Sequence, residues 1–221
     1  MLPFERPGKV VGVGMNYRDH AAEARLDVPA RPVFFGIWTS SLVGPGDAIL
    51  LPSFSDEVDY EAELAVVIGE RGRSVPVERA LDVVAGYAPF NDVSARDLQF
   101  QDGQWTRAKS LDTFSPVGSL VPASEVGDPQ ALRVRCLLNG EPLQDSSTSE
   151  MVFSVAELVS ALSHGVTLEP GDLIATGTPA GVGFARRPPV YLRPGDEVTV
   201  EIERVGTLTN PVRADGERGE A

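Results

Sequence analysis

The sequence predicts a mainly β domain with a few helices, an α+β class, on three observations. Turn signals followed by short β-like runs recur through most of the chain, segments with helical periodicity are few, and 221 residues suit one domain. That domain is expected to span residues 1–213, and the short, polar, glycine-containing tail of residues 214–221 is expected to fray.

Taken in order, the first predicted helix begins near Asn16, a good N-cap, has Asp19 in its first turn, and runs through His20 and Glu23 to about Arg25. In DEVDYEAELAVVIG the acids Glu61 and Glu63 are two apart, so strand geometry puts both carboxylates on one face. A second helix is expected over Val77 to Val84, and GYAPFND reads as a strand ending in Asp92. RVRCLLNGEPLQ reads as a hairpin, because Asn139-Gly140 suits a type I′ turn. The third helix, Ser154 to Leu162, has Val155, Leu158, Val159 and Leu162 at amphipathic spacing and ends at His164-Gly165. Pro-Gly-Asp occurs at Pro45, Pro170 and Pro194, each time before a strand-like run (AILL, LIAT, EVTVEI). Proline presets the first central turn position and glycine takes the positive φ of the second, so one turn type is used three times without a repeat array.

Composition narrows the function. With 42% hydrophobic and 23% charged residues the chain can bury a sizeable core. A net charge of −13 repels a phosphate backbone, so nucleic acid is not an expected partner. No apolar run approaches the roughly 20 residues of a membrane span, and Met1 to Val10 lacks the apolar core of a signal peptide, so a cytoplasmic protein with no membrane partner is expected. The single Cys136, in RVRCLL, reads as a buried structural thiol.

Two readings fit Glu61 and Glu63: an exposed edge strand with solvated acids, or paired ligands for a hard cation such as Mg²⁺, Mn²⁺ or Ca²⁺. The apolar run Leu64 to Ile68 directly after them argues that the strand enters the core. Asp92 alone reads as a turn residue. His20 and Glu23, at i and i+3 of a helix, can pair, with the carboxylate orienting the imidazole as a general base, or can form an exposed pair without a duty. Lys109 and Lys9 are the only lysines in a chain that otherwise uses arginine. TGTPAGVG is a glycine-rich turn whose amides and Thr178 hydroxyl can receive a carboxylate; it lacks the ending of a P-loop, and GVGMNY is not a dinucleotide fingerprint. His164 reads as a cation at a helix C-terminus.

Five segments in order, GMNYRDHAAE, DYEAELAVVIG, GYAPFNDVSARDLQ, RAKSLDTFSPVG and IATGTPAGVG, resemble the motif series of the fumarylacetoacetate hydrolase family, from about Lys9 to Arg213. The resemblance implies a mixed β-sandwich roll, usually a homodimer, with Glu61, Glu63 and Asp92 as ligands of Mg²⁺ (Mn²⁺ or Ca²⁺ being possible). It implies catalytic roles for His20, Glu23 and Lys109, the last stabilising an enolate oxygen or moving a proton, and substrate-facing roles for Arg96, Gln99 and Thr178. The activity it implies is on a small 2-oxo acid through an enolate. Hydrolysis of a C–C bond in an acylpyruvate is the leading expectation; the alternatives are oxaloacetate-type decarboxylation or 2-hydroxyhepta-2,4-diene-1,7-dioate isomerisation or decarboxylation in aromatic degradation. A non-catalytic metal- or ligand-binding module and a glycosidase using paired carboxylates are the rivals from other classes. The chain departs from many relatives in having Gly36-Ile37-Trp38 where a lysine and proline follow the apolar pair matching Phe34-Phe35, and in having Met15 where the acylpyruvase-like branch has arginine. Both changes remove potential anion contacts. The large N-terminal domain of the eponymous hydrolase is not expected.

Overall fold

The computed structural model describes Leu2 and residues 5–216. Two sheets share one core. The larger has six strands in the spatial order Val121–Pro122, Val84–Asn91, Ala62–Ile68, Leu173–Ala175, Val10–Gly14 and Val33–Ile37. Only the Val10–Gly14 and Leu173–Ala175 pair is parallel. The second sheet has five strands, Glu141–Ser147, Arg133–Leu138, Glu197–Ile202, Gly206–Ala214 and Ile49–Leu51.

The strand of the two glutamates is central rather than an edge, so the solvated-edge reading is overturned. All seven of its residues are buried, between Val84–Asn91 and Leu173–Ala175. A period of two sends Leu64, Val66 and Ile68 into a cluster with Val134, Cys136, Val198, Val200 and Leu208 of the second sheet. Ala65 and Val67 face a second cluster with Val10, Ile37, Phe90 and Leu173. Glu63 has the parity of Ala65 and Val67.

The hairpin forms as expected: Asn139 and Gly140 adopt φ of 53° and 84°, and Arg133–Leu138 pairs antiparallel with Glu141–Ser147. Gly46, Gly171 and Gly195 of the three Pro-Gly-Asp turns all take positive φ. Cys136 is buried, and burial pushes its thiol pKa up.

Four α-helices occur among the described residues: α1, Arg18–Ala24; α2, Arg96–Asp102; α3, Ala123–Val126; and α4, Val155–Ser163. Helix α4 follows its sequence pattern. Val155, Leu158, Val159 and Leu162 are buried, each such side chain contributing about 1.5–3 kcal/mol on burial. Ser154 and Glu157 form a capping box, and the exposed His164 is the C-cap.

Helix α1 starts two residues later than expected and has no side-chain cap. The Asn16 amide instead donates to the Thr176 and Phe153 carbonyls at 2.8 and 3.1 Å and accepts from the Phe153 amide at 2.9 Å, linking the helix entry to two distant segments. The Val77 helix is a 3₁₀-helix, Val77–Val83. Helix α2 was not expected from the sequence. The last strand continues through Ala214, which pairs with Leu51, so the tail begins later than Arg213; residues 217–221, where fraying was expected, lie outside the described residues.

Candidate active site

The antiparallel register builds the carboxylate cluster. Ala62 lies opposite Asn91, and the Asp92 amide donates to the Glu61 carbonyl at 2.9 Å, so Glu61 and Asp92 face each other across neighbouring strands. Glu63, two residues along, shares their side. One carboxylate oxygen from each of the three lies within 4.8 Å of the others, and all three residues are buried.

Two cations answer this charge. Lys109 Nζ donates to Glu61 Oε2 at 2.9 Å, Asp92 Oδ2 at 2.7 Å and Ser94 Oγ at 2.9 Å, which uses all three of its protons. Arg96, the first residue of α2, donates from Nε to Asp59 Oδ2 at 2.9 Å and from Nη1 to Gln99 Oε1 at 2.8 Å. Its Nη2 lies 2.7 Å from Glu61 Oε1. Asp59 escaped the sequence reading, although it stands two residues before Glu61, at the end of the short strand Val58–Asp59. No signal in the sequence marked it, since the burial of Arg96 that calls for a carboxylate partner is a property of the fold.

The carboxylates differ in their protonation tendencies. Burial alone would raise Glu61, but Lys109 and Arg96 outweigh it and hold its pKa at about 2. Asp92 is pushed up to about 6, because burial and repulsion from Glu61 exceed the pull of Lys109 and Arg96. Burial, Asp92 and Glu61 together drive Glu63 well above the usual carboxylate range.

These residues fit a hard divalent cation. Asp59, Glu61, Glu63 and Asp92, when ionised, carry four negative charges against the two positive charges of Arg96 and Lys109, leaving −2 in a buried volume. Asp92 Oδ1 is buried without a hydrogen-bond partner, and Glu63 Oε2 accepts one hydrogen bond, from Gly177 N–H at 2.8 Å. Gly177 is required there, since its φ is 97° and a Cβ would lie 2.9 Å from that of Asn16.

His20 and Glu23 lie on α1. Nδ1 of His20 is 3.6 Å from Glu23 Oε2, just beyond hydrogen-bond reach. Burial would raise Glu23, but the His20 imidazole, the Gly181 amide and Arg186 outweigh it and hold its pKa below the usual value.

A cavity of about 130 Å³ joins these groups. Glu61, Asp92, Lys109, Arg96 and Gln99 line it together with His20 and Thr178, while Glu63 and Glu23 are not part of its lining. Its apolar lining includes Leu26, Phe35, Phe100, Trp105 and Phe184. Gly14 permits this packing, because a Cβ there would come within 2.0 Å of the Trp105 ring. Met15, also in the lining, holds a left-handed φ of 58°, a strained conformation for a bulky residue.

The glycine-rich turn receives carboxylates as its composition suggested, but they are the protein's own. The Gly177 amide serves Glu63, and the Gly181 amide donates to both oxygens of Glu23 at 3.1 and 3.0 Å. The Thr178 hydroxyl donates to the Ala62 carbonyl at 3.0 Å and accepts from Gln144 Nε2 at 2.8 Å.

No helix among the described residues is long and apolar enough to cross a membrane. The family model described as fumarylacetoacetate (FAA) hydrolase C-terminal matches residues 9–213. Among relatives, the mitochondrial oxaloacetate tautomerase Fahd2a of Rattus norvegicus is 47% identical over 214 residues, covering 96% of this chain and 68% of that protein. Among solved structures, 5-carboxymethyl-2-hydroxymuconate delta-isomerase from Mycobacterium smegmatis superposes with a TM-score of 0.87 at 43% identity, covering 98% of this chain and 83% of that one. For 2-hydroxyhepta-2,4-diene-1,7-dioate isomerase from Mycobacterium marinum the values are 0.84 and 45%, with 96% and 77% covered. With a sheet core that sets an acidic cluster beside a histidine, and with the family's motifs in sequence order, the chain belongs to the fumarylacetoacetate hydrolase family.

Proposed function

We propose that this protein is a divalent-metal-dependent enzyme, with Mg²⁺ as the physiological ion, that interconverts the enol and keto forms of a small 2-oxo diacid of the oxaloacetate kind. The observation that carries this reading is the shared cavity: a cluster of carboxyl groups, with two uncompensated negative charges when fully ionised, and a histidine beside a carboxylate meet at one space. At about 130 Å³ that space is smaller than the roughly 300–1,000 Å³ of sites for drug-sized ligands, which suits a substrate of a few carbons. The relatives' names favour tautomerase and isomerase chemistry over the acylpyruvate hydrolysis that the sequence led us to expect first.

Glu61, Glu63 and Asp92 would hold the cation, which when bound supplies Lewis-acid polarisation of the 2-oxo group. In the keto-to-enol direction His20 takes a proton from the carbon next to that group and delivers it to the 2-oxo oxygen, and in the other direction it carries the enol proton back to carbon, so the proton count is conserved and no bond between heavy atoms breaks. Glu23 orients the imidazole and stabilises its protonated form. Lys109 keeps the Glu61 and Asp92 carboxylates ionised and in place. Gln99, with its oxygen fixed by Arg96, turns its amide N–H groups to the substrate, and the aromatic wall keeps bulk water from competing for the proton. Homodimer formation and a cytoplasmic location are part of the same proposal.

The test follows the enol absorbance of oxaloacetate, acetylpyruvate and 2-hydroxyhepta-2,4-diene-1,7-dioate with Mg²⁺ and then with chelator, while pyruvate release reports decarboxylation. Chelator-sensitive enol loss from oxaloacetate without pyruvate supports the proposal. Faster chelator-sensitive cleavage of acetylpyruvate returns the assignment to hydrolysis, and turnover indifferent to chelation sinks both.

A further inference from the structure

Asp59 is fully buried, and its oxygens do more than neutralise Arg96. Oδ1 accepts from the Gly183 amide at 2.8 Å and Oδ2 from the Phe184 amide at 3.0 Å, besides Arg96 Nε at 2.9 Å. Next to it, Tyr60 donates its hydroxyl to the Gly181 carbonyl at 3.1 Å. The strand segment that leads into Glu61 and Glu63 therefore grips the turn at residues 181–184 on both sides. The fit is close at Gly183, where a Cβ would come within 2.5 Å of Asp59 Oδ1 and 1.9 Å of the Val190 carbonyl oxygen. The same turn holds Glu23 through the Gly181 amide, and its Phe184 ring lies 4.5 Å from Arg96 Cζ and 6.5 Å from the His20 ring.

We propose that Asp59 is a positioning residue: by anchoring the Gly181–Phe184 turn to the strand that carries Glu61 and Glu63, it fixes the His20–Glu23 pair relative to the carboxylate cluster, although it touches neither His20 nor Glu23. Two properties make the assignment physical. A carboxylate accepting from two consecutive amides and a guanidinium is held in one orientation, and a turn whose three amides at 181, 183 and 184 are fixed by two carboxylates has little freedom to move one without the other. An asparagine cannot replace Asp59, because its amide would turn donor hydrogens towards the Arg96 and backbone donors. The inference rests on the proposed function only in taking His20 and Glu23 as the proton-moving pair.

The chain has two histidines, His20 in the cavity and His164 exposed at the end of α4, so the imidazole NMR spectrum of the chelated protein reads the site with an internal control. Asp59→Asn is expected to move the His20 signals and leave those of His164, with no activity needed. In the Mg²⁺-loaded enzyme it should lower kcat for enol loss by about tenfold with KM nearly unchanged, and the loss should not multiply with that of Glu23→Gln. An unmoved His20 signal, or losses that multiply, would overturn the proposal. Should Asp59→Asn not fold, Glu23→Gln asks the same question from the other end, since coupling is reciprocal. Faster hydrogen exchange at the Gly183 and Phe184 amides in that variant supports the link, and unchanged exchange refutes it. If oxaloacetate is not the substrate, only the kinetic arm fails, which separates this inference from the functional one.

Discussion

Glu61, Glu63 and Asp92 hang from adjacent strands in the middle of a six-stranded sheet, whereas His20 and Glu23 ride on a seven-residue helix that lacks a side-chain cap and ends in an arginine with φ of 55°. The first group is fixed by ladder hydrogen bonds and by residues buried on both faces. The second depends on borrowed anchors, the Asn16 bonds at the helix entry and the Gly181 amide on Glu23. The proposed metal ligands thus sit where backbone geometry is least adjustable, and the proposed proton-moving pair where small shifts are cheapest. A rigid half concentrates charge, which is destabilising without a counter-ion, and an adjustable half can tighten when substrate arrives.

Perturbing the rigid half has the largest expected effect. Glu63→Gln should weaken Mg²⁺ binding at least about 100-fold by calorimetry and abolish measurable turnover, while raising the Tm of the chelated protein by removing a carboxyl group that must take up a proton on folding. A lower Tm there would mean that the cluster is not self-repelling. For the adjustable half, His20→Asn should lower kcat by about 10²–10³-fold with Mg²⁺ affinity unchanged, so a loss of affinity would show that the two halves are not separable.

Acidity sharpens the contrast further. Because Asp92 and Glu63 have raised pKa values, the folded chelated protein holds protons that the unfolded chain has released, so stability is lost as pH rises from the ordinary carboxylate range through about 6. The lowered pKa of Glu61 acts in the opposite sense at pH values below that window. Tm of the chelated protein should therefore be higher at pH 5 than at pH 7, and Mg²⁺ should raise it more at pH 7; a flat profile would contradict the assigned shifts. The smallest effect is expected at the end of α1, where Arg25→Gly relieves the left-handed backbone and should stabilise by about 0.5–1 kcal/mol in denaturant unfolding.

The rigid half was also the more legible one. Alternation is enough to place Glu61 and Glu63 on one face, and turn chemistry locates Asn139-Gly140 and the three Pro-Gly-Asp corners; the choice between a solvated edge and a buried strand stayed open in the sequence, because it depends on which strands pair on either side. Asn16 misled for a definite reason: an asparagine before a helical segment suits capping, but tertiary partners at Thr176 and Phe153 offered its amide three hydrogen bonds instead of one. Asp59 was passed over because a carboxylate acquires its meaning from donors far along the chain, here at 96, 183 and 184. The role of Lys109 as a clamp on two carboxylates was likewise invisible in RAKS, since its partners come from positions 61 and 92.

The burial of Cys136 has a practical consequence. With its only thiol enclosed between the sheets and its ionisation suppressed, the native protein offers no accessible thiol to alkylating reagents or to disulfide formation between molecules. A cysteine introduced at one surface position, such as Arg25, would be the single site to take up a maleimide dye under native conditions, so movement of the helix end can be followed by fluorescence without first engineering a thiol-free background.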